Sequence, residues 1–589
     1  MATLRNTHGR DRDDMRRDAK SLLNRLKSIQ ADAAFVSEMA DLFPQFPILA
    51  NERCGTWYVH PSKIHRPGVY FKSTDGHTGI WDFNLRRYNP HLINAIIDNG
   101  GCIIVDSTRK GKRVPDALSK TIPIWCATIN NAVRKKALEN QKAYKSATSS
   151  DQAVNVDRSD EEMSATLLVP ALDDEHWDVR YHSLPSVISR SEHAQIAEKI
   201  EGFADKLMRF TDMTPLTTRL LKPIRPIWLT PQSFIMKDDP PDYNQVGFFP
   251  VICLSASRVV QDGMEEQDGY LYVQGSGDDE EMWSKGLTPD LFWNNIDYLL
   301  EDGITASECE NRAKKVVQDS RRLQLETSKP SGVASSQDEK STSTLRANLF
   351  TPSMERCSEI APSPIWIGNN ASGKIPACWD AGYDMVINCG AEIKRESLFE
   401  LEGGQDWVTA LAGVGHAGAQ ASLCEIKRSQ WPISVDTKNC STHQVEKSYF
   451  YLHLPIAEGK KGQHDLLAMI PVAIEAVRKL FLKLEEWRAQ NNIEDKTSPR
   501  ILVHCQQGMD RSVGISLALL VACFDEESGA FVDRCGSSDK KYSANKEFIQ
   551  RRLFQIMSHR LAARPSRATL KIVNTFFMSP TDPPPAKYT

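Results

Sequence analysis

The stretch RILVHCQQGMDRSVGISLALL, residues 500–520, decides the fold of the second half of this chain. Ile501, Leu502 and Val503 form a short apolar run behind Pro499, as a buried strand does, and residues 513–520 are apolar over a helical length. Residues 505–511 must therefore turn the chain from strand into helix. A turn that opens with Cys505 and closes with Arg511, five residues between them, is a phosphate cradle. The backbone N–H groups of Gln506, Gln507, Gly508 and Met509 and the positive end of the following helix, begun by Ser512, converge on a dianion. The guanidinium grips two of its oxygens, and the same field lowers the thiol pKa. Asp510, inside the turn, opposes a phosphate unless it is protonated or shared with a cation. The plain alternative for Cys505 is a structural thiol at a strand end.

Outward from this turn lie SPIWIGNNASGKIPACWDAGYDMVINCG, residues 363–390, and YFYLHLPIA, residues 449–457. With HCQQGMDRS they resemble the dual-specificity and tyrosine phosphatase fold, whose signature is HCxxGxxRS. The first stretch is similar to that fold's opening strand, helix and strand, the second to the strand before its acid loop. The resemblance implies an α/β domain in which Cys505 is a nucleophile and an acid-loop Asp protonates the leaving group. Aligned on LPIAE, the acid position falls on Glu458, with Asp465 farther along, which departs from the family pattern. Asp510 resembles the variant cradle of myotubularin-type lipid phosphatases. Covalent phosphatase chemistry and simple binding of a phosphate or phosphoribosyl group both remain open.

The first half reads as a separate mixed α/β domain. Residues 20–39 predict an amphipathic helix, since Leu22, Leu23, Leu26, Ile29, Ala33 and Val36 recur at three- and four-residue steps. Residues 51–58, 69–71 and 102–105 predict short strands, with a helix over 89–99 feeding the last. Two Ser- and acid-rich stretches predict loops: an insertion at 146–164 and a linker at 327–344, which divides the chain into domains 1–326 and 345–589.

Three polar loops in the first domain carry candidate chemistry. The strand at 102–105 runs into Asp106, Ser107, Thr108, Arg109, Lys110, Gly111, Lys112 and Arg113, which suits a phosphorylated ligand with its metal, though a solvated charged turn has the same composition. FKSTDGH offers Lys72, Asp75 and His77, or merely a capped turn. Asp278 and Asp279 behind Gly275 and Gly277 form a carboxylate pair able to hold Mg²⁺, or an exposed acidic turn.

Charge and composition limit the partners. With 41% hydrophobic and 25% charged residues and a net charge of −4, the 589-residue chain is neither globally disordered nor a uniformly basic coat. The average hides two basic strips. Residues 101–145 hold ten Lys and Arg against three acids, including Lys120 and Asp116, and residues 546–571 hold seven against one, including Arg564 and Arg567. Such strips suit the phosphates of a folded RNA, or are ordinary solvated faces. No run is long and apolar enough for a spanning helix, the first residues lack a signal-peptide core, and thirteen scattered cysteines have no framework spacing. An intracellular protein with reduced thiols and no membrane association is expected.

Taken together, NERCGTWYV, YFKSTDGHTGIW, GGCIIVDSTRKGKRVPDALSKTIPIWC, YVQGSGDDEEMWSKGLTPDLFW, HCQQGMDRS and RPSRATLKIVNTFF resemble the initiator-tRNA phosphoribosyltransferases of fungi and plants. The resemblance spans nearly the whole chain. It implies a family-specific mixed α/β N-terminal domain joined to a phosphatase-like C-terminal domain, without an obligate protein partner. It implies transfer of a 5-phosphoribosyl group from phosphoribosyl pyrophosphate, with Mg²⁺, to the 2′-hydroxyl of adenosine 64 of initiator tRNA-Met in the cytoplasm, with a nuclear pool allowed. Under it, Arg109, Lys110, Lys112 and Arg113 take the pyrophosphate, Asp106 or the Asp278/Asp279 pair the metal, and the 505–511 loop a phosphate, with Asp75, His77 and Asp116 as candidate bases. A cysteine-dependent phosphatase and a silent tRNA-binding protein are the competing expectations.

Overall fold

The computed structural model describes residues 15–52, 54–109, 111–148, 177–233, 240–326, 356–375, 377–390, 407–408, 421–429, 446–459, 462–491, 498–534 and 542–579. Lys110, the 327–344 stretch and most of the 146–164 insertion lie outside them. The chain divides into two compact units, Met1–Leu349 and Phe350–Thr589.

In the first unit, α1 (Leu22–Asp41) buries Leu22, Leu26, Ile29, Ala33 and Val36, the stripe its spacing dictates. It packs with Trp57, Ile103 and Ile252 over a four-stranded sheet. Strands β1 (Ile48–Ala50), β2 (Cys102–Asp106), β3 (Ile224–Leu229) and β4 (Phe249–Ser255) run in the order β1-β2-β4-β3, all parallel. β2 is buried along its whole length, as an apolar run with no alternation must be when helices cover both faces. It is fed by α2 (Pro90–Asn99), which starts on a proline and closes on Gly100 at φ 72°. α3 (Ile122–Thr148) and α4 (Arg190–Met208) follow, and a hairpin of β5 (Met264–Gln267) and β6 (Tyr270–Val273) precedes the acidic turn.

The strand expected over 51–58 is not there. The chain leaves the sheet at Ala50 because the Asn51 amide turns to pair with the backbone of Phe71, accepting from its N–H and donating to its C=O at 2.9 Å each. Gly55–Tyr58 then forms a 3₁₀ turn, and Val69 makes only an isolated bridge to Asn51.

The second unit holds a seven-stranded sheet in the order β10-β11-β12-β9-β13-β8-β7. Its strands are β7 (Cys357–Glu359), β8 (Ile365–Gly368), β9 (Met385–Asn388), β10 (Trp407–Val408), β11 (Ser422–Ser429), β12 (Glu446–His453) and β13 (Ile501–His504). The four central strands are parallel and the edges antiparallel. Helices α5 (Gly462–Asn491), α6 (Arg511–Cys523), α7 (Lys546–His559) and α8 (Arg567–Met578) complete the unit. α6 is apolar all round and buried from Ser512 to Cys523, so each Leu or Ile in it contributes roughly 1.5–3 kcal/mol.

The basic strips divide on folding: Arg109, Lys112, Lys142, Lys546, Arg567 and Lys571 stay exposed, while others turn inward. On α7 and after it, Arg552 and Arg560 are fully buried, and Arg551 is paired with Glu526 at 3.0 Å. In the first unit Lys120 is buried between Glu192 (2.9 Å) and Asp116 (3.7 Å), and Lys135 is held by Asp205 (2.6 Å) and Glu201 (3.0 Å). These cations hold the protein together rather than facing a polyanion.

Candidate functional site

Ligands of parallel α/β sheets gather beyond the carboxyl ends of the strands. There, past β2, lies a cavity of about 270 Å³. Of the residues singled out in the sequence, His77, Asp106, Ser107, Thr108, Arg109, Lys112, Asp116 and Asp278 border it, joined by Cys54 and Ser73. Lys72, Asp75, Arg113 and Lys120 are not in its wall.

Asp106 forms the floor, with both oxygens occupied by donors. Oδ2 accepts from Asn51 Nδ2 at 2.8 Å, and Oδ1 accepts from the Cys54 thiol at 2.9 Å and the Ser107 N–H at 2.8 Å. Burial pushes this carboxyl up to about 6, against the pull of those same hydrogen bonds. Burial and the neighbouring Asp106 push the Cys54 thiol well up, which makes it a neutral donor.

One wall is cationic. Arg109 reaches Asp278 (2.9 Å) and Asp279 (2.7 Å), and Lys112 reaches Asp116 at 2.7 Å. Gly275 is pressed against this loop at φ 68°, where an added Cβ would lie 2.7 Å from the Thr108 carbonyl, so only glycine fits. The expectation that Asp278 and Asp279 form a Mg²⁺ site does not fit. One guanidinium bridges both carboxylates, Asp106 is saturated by donors, and among the described residues no group of three or more His, Cys, Asp or Glu side chains is placed to hold a metal.

The candidate bases separate. His77 stands 3.7 Å from Asp116 and is half-exposed at the cavity. Asp75 instead meets Arg87 through two hydrogen bonds of 2.6 and 2.7 Å, so its carboxylate is committed to that pair. Burial raises its pKa and Arg87 opposes the rise. Arg113 turns to Thr230 at 3.2–3.3 Å, beyond β3, because Ser255 anchors its backbone C=O at 3.1 Å.

The second unit builds the cradle that the sequence predicts between β13 and α6. Cys505 is buried, with Ser512 Oγ at 3.2 Å and the Gly508 N–H donating to its sulfur at 3.2 Å. Burial pushes the thiol up, but the hydrogen bonds of Ser512 and Gly508 and the Arg511 charge outweigh it, and its pKa lies below the ordinary value. Gly508 is at φ 70°, and a Cβ there would stand 2.5 Å from both Gly368 O and Arg560 Nη2. Gln506 and Gln507 are exposed at the rim.

Several cradle residues face elsewhere. Asp510 does not point at the anion position: its Oδ1 accepts from the Ser566 N–H (2.8 Å) and the Thr569 hydroxyl (2.5 Å), which binds the turn to the start of α8. This corrects its assignment as a group acting on the ligand. Arg564 supports the turn by donating its backbone N–H to Met509 O at 2.9 Å, and Arg567 opens α8. Arg511 donates to Ile456 O (2.8 Å) and pairs with Glu458 (2.7 Å). The nearby Asp465 is buried and accepts from the Ala457 N–H at 3.1 Å, so it fixes the acid loop from behind. Burial and His453 lower His504 to about 4, leaving a neutral packing ring beneath the turn.

Reading by sequence missed Asn51, Cys54 and Arg560. The buried Arg560 donates from Nε to Gly508 O at 2.8 Å, which holds the Gly508–Met509 peptide of the turn in place. The run NERCG gave a faint signal of the first two, as polar residues closing an apolar strand. Nothing local marked Arg560.

Comparison with known proteins agrees with this two-part construction. The family models described as the Rit1 N-terminal domain and the Rit1 DUSP-like domain match residues 15–318 and 450–577. The chain is 29% identical to the tRNA A64-2′-O-ribosylphosphate transferase of Saccharomyces cerevisiae, over 96% of this chain and 94% of the relative. It is 36% identical to an uncharacterized protein of Schizosaccharomyces pombe, over 65% of this chain and 70% of that protein. Among solved structures, human DUSP28 aligns at 13% identity over 39% of this chain and 97% of its own, with a TM-score of 0.19. The chain, a mixed α/β unit followed by a DUSP-like α/β unit, belongs to the Rit1 family.

Proposed function

We propose that this protein transfers a 5-phosphoribosyl group from phosphoribosyl pyrophosphate to the 2′-hydroxyl of adenosine 64 of initiator tRNA-Met, in the cytoplasm. The observation that carries the reading is the cavity beyond β2, where Arg109 and Lys112 face a floor of buried hydrogen-bond donors and acceptors. The name of the Saccharomyces cerevisiae relative supports the acceptor, adenosine 64 of a tRNA.

The chemistry demands positive charge at the leaving group. Cleavage of the anomeric C–O bond builds positive charge on the sugar and negative charge on the diphosphate, so cations must meet the leaving group. Arg109 and Lys112 serve that role, released from Asp278, Asp279 and Asp116 as the diphosphate takes their place. Magnesium enters as the counter-ion of the donor's diphosphate rather than as a resident ion. The cradle of Cys505 to Arg511 binds a further phosphate, with the guanidinium exchanging Glu458 for it.

The test is direct. Purified protein is incubated with labelled phosphoribosyl pyrophosphate, Mg²⁺ and initiator tRNA; label in the RNA is expected, and unlabelled RNA with folded protein refutes the reading. A second reading, a cysteine-dependent phosphatase, is favoured by the lowered Cys505 thiol. It requires hydrolysis of a phosphomonoester that Cys505→Ser abolishes.

A further inference from the structure

Behind the cavity wall runs a chain of hydroxyls that ends on a buried carboxylate. Ser107, which borders the cavity, lies with its Oγ 2.6 Å from Ser257 Oγ. Ser257 in turn donates to Asp32 Oδ2 at 2.5 Å. Asp32 sits on the inner face of α1, 4% exposed, and its other oxygen accepts from the Tyr272 hydroxyl at 2.8 Å. The three residues come from α1, the end of β2 and the end of β4, so the fold itself brings them together.

The direction of the hydrogen bonds is constrained. The Gly275 N–H donates to Ser257 Oγ at 3.2 Å, and Ser257 spends its own proton on the carboxylate. Ser257 is thus an acceptor toward Ser107, and the Ser107 proton points inward. The Ser107 oxygen also meets the Tyr58 hydroxyl, which leaves it one lone pair to receive a proton from the cavity side.

We propose that Asp32, Ser257 and Ser107 form a proton relay that removes the acceptor hydroxyl's proton as the pentosyl bond forms. The inference rests on the transferase reading above. The acceptor oxygen bonds to the anomeric carbon while the bond from that carbon to the diphosphate breaks, and the diphosphate leaves with the electron pair. The acceptor proton passes to Ser107, which gives its own to Ser257, which gives its own to Asp32 Oδ2. After product release the proton returns by the same path.

The other carboxylates are less suited to this task. Asp106 is saturated by donors, Asp116 keeps the buried Lys120 at 3.7 Å when Lys112 turns to the diphosphate, and Asp75 is locked on Arg87. Among the described residues no Lys or His pairs with Asp32. The groups around it are Ser257, Tyr272 and the backbone and charge of Arg258, whose guanidinium is itself tied to Glu265, with Tyr58 and Tyr270 near by. Burial pushes the Asp32 carboxyl up to about 7, so it gains and loses a proton in the range where a base works best.

The experiment measures single-turnover transfer by the full chain between about pH 5.5 and 9, with tRNA binding and thermal melting recorded alongside. The wild-type rate is expected to rise with pH through about 7 and then level. Asp32→Asn and Ser107→Ala are expected to lower it roughly 10²–10⁴-fold and to abolish the rising limb, with tRNA binding unchanged. Ser107→Thr, which keeps a hydroxyl, is expected to stay within a few-fold of wild type. A folded Asp32→Asn protein with the wild-type rate and pH profile overturns the relay; should that variant fail to fold, the same result for Ser107→Ala does so. An inactive wild type overturns the transferase reading itself and the relay with it, whereas an active wild type with unaffected variants overturns the relay alone.

Discussion

Arg109 shows how a charged side chain at a site differs from one that holds the fold. It is half-exposed, and its pairs with Asp278 and Asp279 are of the kind that contribute about 1 kcal/mol or less in water. Arg109→Ala should therefore leave the melting temperature nearly unchanged while raising the KM for phosphoribosyl pyrophosphate about tenfold or more, because charge-assisted bonds to a diphosphate are worth about 1.5–3 kcal/mol. Steady-state kinetics beside thermal melting checks both halves. Asp32 has the opposite character, a titratable group that bears on stability. Its folded-state pKa of about 7 lies above the unfolded value of 3.8, so it contributes stability that is fully present below about pH 4 and is lost as the pH rises through 7. Asp106, raised to about 6, acts in the same sense. Unfolding by urea should show stability falling between about pH 5 and 8, on the order of 2 kcal/mol of it removed by Asp32→Asn, since a neutral amide cannot lose a proton there. An unchanged slope in Asp32→Asn would refute the assignment of that pKa. The sequence carried a hint of this group: Asp32 falls on the same helical face as Ile29 and Val36, where a carboxylate has no business unless it is partnered.

At the scale of elements, legibility followed sequence distance. The turn from β13 into α6 was readable because its strand, cradle and helix are consecutive and each carries its own period. So was α1. The misread strand at 51–58 failed because its course is set by Asn51 pairing with Phe71 and by Gly55 lying against the Val105 carbonyl, contacts that no local period announces. The support of the cradle was hidden for the same reason. Arg560 follows α7, yet its guanidinium holds the carbonyl of Gly508, and Asp510 reaches the cap of α8. Arg560→Met would strand that carbonyl in the interior, at a cost of about 1–3 kcal/mol, and loosen the Gly508–Met509 peptide on which the shape of the turn rests. The variant should bind inorganic phosphate or tungstate at the cradle at least about tenfold more weakly by calorimetry, with Arg560→Lys intermediate because one donor remains. Asp510→Ala, which leaves Cys505, Arg511 and the Gly508 N–H in place, should instead lower stability by about 1–2 kcal/mol by urea unfolding and spare anion binding. Equal loss of anion affinity in both variants would place Asp510 in the cradle after all.

Across the whole molecule, two units each carry a polar loop with a cationic side chain beyond the carboxyl ends of parallel strands, and the S. cerevisiae relative aligns along 96% of the chain. What composition concealed at this scale was the fate of the charges. Part of each basic strip counted along the sequence is taken up by Glu192, Asp205, Glu526 and the backbone, because a buried guanidinium or ammonium must be paired. Arg511 lies outside both strips and is held by a carboxylate that can leave: its guanidinium is largely buried while its partner Glu458 is 74% exposed. This arrangement separates the functions that a cradle permits. A phosphatase needs the Cys505 thiolate to attack and an acid aimed at the leaving group, but the Asp of the phosphatase pattern is replaced by the exposed Glu458, and Asp465 is buried on the backbone of Ala457. A cradle that binds needs only the guanidinium and the N–H groups. Cys505→Ser should therefore keep phosphoribosyl transfer within about threefold of wild type, while Arg511→Ala should lower it by about tenfold or more at low salt, the loss appearing in affinity for tRNA and shrinking as salt is raised, because the variant has one phosphate contact fewer to be screened. Transfer assays on both variants at two salt concentrations decide the matter: a Cys505→Ser protein that folds, binds tRNA and yet transfers nothing would make the thiol a participant in the reaction and return the cradle to covalent chemistry.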